Sequence, residues 1–233
     1  MSLLTICQNA AIRLGLPKPL NIVSSSDENT RRLLAVAQEE GQDLAYRTDW
    51  NKLVLEANFT TDGSSSYDLS VIAPAYDYMV NSVIWNRTGR EPVVYINPDN
   101  YQHEKAWGVL TVNNKFRFIA GNLVLEPAVA SSQNLVFEYM SRAFCKSATG
   151  TAQTSWLADT DIGVLDEELM TLGVIWRYRR LIGFDFAPDL ATYERRVQFA
   201  LGRDKALPTI NMNGIYTTAG KVAYNTPDIG FGV

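Results

Sequence analysis

The sequence predicts an α+β protein with a discontinuous four-helix bundle, an inserted small antiparallel β domain and an extended C-terminal arm. Apolar residues recur at helical spacing towards both ends of the 233-residue chain, whereas they alternate with polar residues in its middle. We therefore predict the bundle over residues 1–50 and 156–207, the β domain over 51–144, a loop over 145–155 and the arm over 208–233.

Two helices are predicted before the β domain. The first covers residues 2–15 and stops at the proline-containing segment 16–19. The second begins near Ser25, because Ser25 and Glu28 have the spacing of a capping box, and it runs to about Trp50. The predicted inward-facing residues are Leu4, Cys7, Ala11 and Leu14 in the first helix and Leu34, Ala37, Gly41 and Leu44 in the second.

Alternating residues and turn signals predict the strands of the β domain. A turn at 62–66 follows the first strand, and Gly121 with Asn122 marks a tight hairpin. The expected strands are 53–59, 116–118, 123–125 and 135–139, with weaker strands at 76–85 and 93–96 and one short helix at 98–107.

Two further helices are predicted after the loop. The first starts at Asp159, Thr160 and Asp161 and ends at Gly183, and Pro188 lies in the first turn of the second. Their inward-facing residues are predicted to be Leu165, Leu169, Leu172 and Trp176, then Leu190, Tyr193, Val197 and Leu201.

Charge and composition exclude several classes of function. Lysine and arginine number 21 against 25 acidic residues, and this net charge of −4 argues against broad binding to nucleic acid. No apolar run is long enough to span a membrane. The first residues do not resemble a signal peptide, and the two cysteines, Cys7 and Cys145, do not have the spacing of a disulfide framework. We therefore expect synthesis in a reducing cytoplasm.

The sequence lacks the residue patterns of common catalytic, metal-binding and cofactor-binding sites. The single histidine, His103, has polar neighbours and no nucleophile motif accompanies it, so we predict no catalytic residue, no metal site and no cofactor. Five acidic residues keep a glycosidase or a divalent-cation site open as an alternative. The stronger interpretation is that carboxylates at a helix start complement its exposed amides and dipole, which accounts for all five; these residues are Asp159, Asp161, Asp166, Glu167 and Glu168.

Arginine and aromatic residues indicate surfaces for assembly. Arginines concentrate on the last two predicted helices, where they form either a salt-bridged face or contacts to a neighbouring subunit. The arm has scattered apolar anchors and almost no charge, so we expect it to order on a partner. The predicted interface residues are Arg177, Arg180, Ile210, Ile215, Tyr216, Tyr224, Ile229 and Phe231.

Seven segments stand out by their order and spacing: 3–8, 14–19, 156–161, 165–169, 172–177, 183–187 and 193–194. Together they resemble head-to-tail adaptor proteins of short-tailed bacteriophages. The resemblance covers the helical parts, roughly half of the chain. It implies a virion protein that forms a ring, with twelve copies expected, between the portal protein and the tail nozzle protein. DNA would pass through the ring without sequence-specific binding.

Two other functions remain open from the sequence. One is a virion-associated cell-wall glycosidase that uses carboxylates within 159–168. The other is a host-surface binding module formed by the β domain, 51–144.

Overall fold

The computed structural model describes residues 2–108 and 113–204, and in this part the chain has a mixed α+β fold. It contains six α-helices and a curled, mostly antiparallel sheet. The helices are α1 (Leu3–Leu14), α2 (Glu28–Arg47), α3 (Leu69–Ile72), α4 (Pro98–Trp107), α5 (Glu167–Ile182) and α6 (Ala187–Asp204). The arm predicted over 208–233 lies outside the described residues.

Two predicted helix starts were wrong. The residue that caps α2 is Asp27, whose side chain accepts a hydrogen bond from the Thr30 amide, and not Ser25. Helix α5 starts at Asp166, whose side chain accepts from the Leu169 amide, and not at 159–161. In both segments several polar residues satisfy the preference for a cap, and packing decides which one takes that position.

The four longer terminal helices share one hydrophobic core. Helix α5 is central, because it packs against α1, α2 and α6. Its buried face includes Leu169 and Val174, and Tyr193 of α6 is also fully buried. Gly41 of α2 packs directly against the Phe144 ring, which reaches it from the end of the β region.

The large sheet follows the predicted strands closely. Its strands are β1 (Val54–Thr60), β2 (Ser66–Asp68), β3 (Tyr76–Met79), β4 (Val83–Asn86), β5 (Glu91–Tyr95), β6 (Lys115–Ile119), β7 (Asn122–Glu126) and β8 (Asn134–Ser141). The order is β1-β8-β4-β5-β6-β7-β2, and β3 also pairs with β8. The β5–β6 pair is parallel. The predicted weak strand 76–85 is divided into β3 and β4.

The buried apolar residues form two clusters. One lies under the helices, and the other lies on the sheet and includes Ile84, Phe116 and Phe137. Trp50, Met140 and Phe144 belong to the helical cluster, so residues from both edges of the β region anchor it to the helices.

The polar segment 145–155 is not entirely a loop. It contains β9 (Cys145–Lys146) and β10 (Ala152–Gln153), which form a small sheet with β11 (Ile162–Gly163). Cys145 and Phe144 are buried at the start of this segment, and burial favours paired backbone there.

Candidate interaction surfaces of the helical core

Arg177 lies inside the helical core, where it binds three carboxylates. Its side chain is only 5% exposed. Nε donates to Oε2 of Glu40 at 2.7 Å, Nη1 to Oε1 of Glu39 at 3.1 Å, and Nη2 to Oδ2 of Asp43 at 2.7 Å. The Tyr193 hydroxyl donates to Oε1 of Glu40 at 2.8 Å. This polar cluster, buried at Arg177, Glu40 and Tyr193 and half exposed at Glu39 and Asp43, therefore links α2, α5 and α6.

Burial controls the ionisation of the cluster. Desolvation raises the pKa of Glu40 to about 7, and the attraction of Arg177 and the hydrogen bond from Tyr193 oppose this rise. Desolvation and the nearby Glu40 charge raise the pKa of Tyr193 above its usual range, so its hydroxyl is a hydrogen-bond donor. The arrangement stabilises the fold, because the buried members, Arg177, Glu40 and Tyr193, bind one another across three helices.

Arg180 is the member of the predicted arginine pair that reaches the surface. Its side chain is 47% exposed, and Nη2 donates to Oε1 of Glu39 at 2.8 Å. Its guanidinium also lies 5.0 Å from the centre of the Trp176 ring. The internal position of Arg177 leaves Arg180 as the arginine of this pair that is accessible to a partner.

Two of the five candidate carboxylates hold backbone segments in place. Oδ1 of Asp159 accepts from the amides of Ile22 and Val23 at 3.0 and 2.8 Å. Asp161 is 2% exposed, and its Oδ2 accepts from the amides of residues 157 and 158 at 2.7 and 2.8 Å. These contacts fix the approach to α5 against the chain that follows α1.

The other three carboxylates lie at the start of α5. Asp166 caps the helix, and Oε1 of Glu167 accepts from the side-chain Nδ2 of Asn9 at 3.5 Å. Both oxygens of Glu168 bind the guanidinium of Arg13, at 2.9 and 3.1 Å. Each of the five carboxylates thus has its own partner: Asp161 and Asp166 bind neighbouring backbone amides, and the other three bind groups from α1 or the chain after it. The helix-start interpretation accounts for Asp166, Glu167 and Glu168 but not for Asp159 and Asp161.

Several large apolar side chains remain exposed on the helical part. Phe184, directly after α5, is 66% exposed, and Phe199 of α6 is 56% exposed. Phe199 lies between the guanidinium groups of Arg196 and Arg203, at 5.8 and 5.5 Å from its ring centre. Aromatic residues with arginine are enriched at protein interfaces, so these surfaces are candidate contact sites.

Beside Phe199, a groove of about 330 Å³ opens between the start of α5 and the end of α6. We call it the α5–α6 groove. Its apolar lining consists of Trp50, Leu165, Leu169, Phe199 and Ala200, and the rest of its lining is charged: Lys52, Asp166, Arg196, Arg203 and Asp204.

Sequence reasoning missed the importance of Glu40 and of the two exposed phenylalanines. A signal for Glu40 was present: it lies three residues after Ala37 and four before Leu44, on the buried side of α2. No comparable signal separated Phe184 or Phe199 from the core aromatics. The arm residues predicted at an interface, Ile210, Ile215, Tyr216, Tyr224, Ile229 and Phe231, lie outside the described residues.

The remaining reactive groups are dispersed or buried. His103 is exposed and stacks on Trp107, with 5.2 Å between ring centres. Burial raises the pKa of both Cys7 and Cys145 to about 12. Across residues 2–108 and 113–204, no group of three histidine, cysteine or acidic residues could hold a metal ion. In the same residues no helix is both long and apolar enough to cross a bilayer.

Comparison with known proteins gives no assignment. No protein-family model matches the sequence, and no curated protein matches it. The proposal below therefore depends on the residues and on their arrangement.

Proposed function

We propose that this protein is a structural component of a virion, the head-to-tail adaptor of a short-tailed bacteriophage. A ring of twelve copies would join the portal protein to the tail nozzle protein and extend the DNA channel. The protein would be made in the host cytoplasm and would act in the neck of the virion. It would need no cofactor, catalytic residue or membrane.

One observation carries the proposal: most segments behind the resemblance belong to one packed unit. Segment 3–8 lies in α1, segments 165–169 and 172–177 lie at or in α5, and segment 193–194 lies in α6. These helices pack together. We further propose that they form, with α2, a discontinuous four-helix bundle from which the β region protrudes as an inserted domain, with an extended C-terminal arm.

The surface of the helices fits the needs of a closed ring. A ring of identical subunits requires two different contact faces on each subunit. Phe184, just after α5, and Phe199 of α6 are exposed aromatic residues, and α5 and α6 also carry Arg180 and Arg196. The net charge of −4 also suits a DNA conduit. Contacts to phosphates would slow the passage of DNA, and an acidic protein makes few of them.

The partners of the candidate carboxylates favour a structural function over the glycosidase. Asp159 and Asp161 bind backbone amides, and Glu168 is paired with Arg13. A glycosidase needs two carboxyl groups that face one substrate across a cleft.

The decisive experiment mixes the purified full-length protein with portal protein and images the product by cryo-electron microscopy. We expect the protein alone to sediment as a monomer and to form a ring once portal is present, because an arm that orders on its partner delays ring closure. The absence of both ring and binding would refute the proposal.

Matched variants sharpen this experiment. Phe184→Asp and Phe199→Asp remove exposed apolar groups from the helical part and should reduce ring formation at least tenfold. Val71→Asp changes a side chain of the β region that is 75% exposed, and it should leave the ring intact. Deletion of 208–233 should leave the helical core folded and weaken binding to the portal. Equal behaviour of all these proteins would argue against the assigned contact faces.

A further inference from the structure

The α5–α6 groove has more cationic than anionic side chains, although the whole chain carries a net charge of −4. Its cations are Lys52, Arg196 and Arg203, and its anions are Asp166 and Asp204. Lys52 and Arg203 are exposed and form no ion pair within the part of the chain that the structure describes. Arg196 has only a long contact with Asp166, at 3.9 Å. The groove is therefore a local basic site on an acidic protein.

Both carboxylates of the groove are held by backbone amides. Oδ1 of Asp166 accepts from the Leu169 amide at 3.0 Å and caps α5. Oδ2 of Asp204 accepts from the Asn51 amide at 2.8 Å. The positive end of the α5 dipole also offsets part of the Asp166 charge. Because these carboxylates already have donors, they leave the three cations available to an anion from outside.

Phe199 orients two of the cations. The guanidinium carbons of Arg196 and Arg203 lie 5.8 and 5.5 Å from the centre of its ring. A guanidinium held at an aromatic ring keeps its N–H donors in its own plane, where they match the two oxygens of a carboxylate. Contact with the ring also restricts both side chains before binding, so less conformational freedom is lost when an anion binds.

We infer that the α5–α6 groove binds a short acidic segment of a partner protein. Aspartate or glutamate carboxylates of that segment accept hydrogen bonds from Arg196 and Arg203, and Lys52 adds electrostatic attraction. Arginine together with aromatic residues is enriched at protein interfaces. A long polyanion such as DNA would be repelled by the rest of this acidic chain, whereas a short acidic segment contacts only the groove.

This inference does not rest on the proposed function, because it concerns one subunit and one bound segment. The failure of the full-length protein to form a ring with portal protein would refute the proposed function and leave binding of an acidic segment at this groove to be decided by the experiment below.

Fluorescence anisotropy with a fluorescein-labelled hexaglutamate peptide tests the inference on the full-length protein. The groove variant is Arg196→Gln with Arg203→Gln. The control is Arg31→Gln with Lys146→Gln, which removes two exposed cations outside the groove and changes the net charge equally. At low ionic strength the groove variant should bind at least about tenfold more weakly than wild type, and the control should stay within about twofold. Thermal melting checks that both variants keep the wild-type fold.

Two further readouts locate the binding and test the role of the ring. The side-chain Nε–H signals of Arg196 and Arg203 in ¹⁵N NMR spectra should shift as the peptide is added. Phe199→Leu keeps both arginines but removes the ring that orients them, and it should weaken binding by about threefold. Shifts confined to other arginines would place the peptide elsewhere and overturn the inference.

Three outcomes of the binding experiment would also overturn it. The first is no binding of hexaglutamate to the wild-type protein at low ionic strength. The second is equal binding to the groove variant and the control. The third is tighter binding of a thymidine hexanucleotide than of hexaglutamate, lost in the groove variant, which would identify the groove as a nucleic-acid site.

Discussion

Gly173 of α5 lies so close to Glu40 of α2 that a Cβ atom at residue 173 would be 2.0 Å from the Glu40 carboxyl carbon. Real Cβ atoms do not approach other heavy atoms so closely. The Glu40 side chain cannot move aside freely, since Arg177 and Tyr193 bind its two oxygens. The missing side chain of Gly173 thus makes room for the buried carboxylate between the two helices.

Gly173→Ala should therefore lower the free energy of unfolding by about 1–3 kcal/mol, the usual cost of overpacking. Gly202→Ala is the matched control, because residue 202 also lies in a helix and a Cβ there would have no atom within 4 Å. The control should be neutral or stabilise the protein by up to about 1 kcal/mol, since alanine favours a helix. Urea denaturation measures both values, and an equal effect of the two changes would contradict the close contact.

Arg177→Met should destabilise the protein by about 3–5 kcal/mol, because it leaves the Glu40 carboxylate buried without its cation. Arg180→Met removes a half-exposed arginine from the same helix and should cost less than about 1 kcal/mol. The double variant Glu40→Met with Arg177→Met should recover part of the loss in chemical denaturation. A double variant less stable than Arg177→Met alone would contradict this explanation.

The raised pKa of Glu40 predicts a pH dependence of stability. Glu40 takes up a proton at about pH 7 in the folded state but only near 4.5 when unfolded, so between these values the folded state binds more protons. The free energy of unfolding should fall as pH rises through this window, by at most about 3 kcal/mol at 1.36 kcal/mol per pKa unit. Denaturation of wild-type protein and Glu40→Gln from pH 4 to pH 8 measures this, and parallel curves would rule it out.

Both cysteines should be unreactive in the folded protein. Burial, aided by Asp159 near Cys7 and by Asp161 near Cys145, raises the pKa of each thiol to about 12, so little thiolate exists at pH 8. A thiol reagent should modify neither cysteine in the native protein and both in guanidinium chloride. Rapid native modification of either one would show that its site opens readily.

The periodicity of the sequence predicted the elements that depend on local signals. Helix α4 was predicted at 98–107, where Asn97 caps the helix, Pro98 lies in its first turn and Gly108 ends it, and the structure confirms these bounds. The predicted hairpin was also confirmed, with its turn one residue earlier, at Ala120 and Gly121, because Asn122 already pairs with Ile119. The start of α5 was not found, because Asp159, Asp161 and Asp166 are equally good caps when only neighbours in sequence are considered.

The sequence by itself determined that helical segments precede and follow a β region and that their apolar stripes pack into the core, and its composition determined that the chain is acidic. Only the tertiary structure decided that Arg177 is internal while Arg180 is exposed, and that Glu40 lies against Gly173. These relationships join residues more than a hundred positions apart. Such contacts depend on how whole helices pack, and the free energy of burying a charge depends on the partners that this packing supplies.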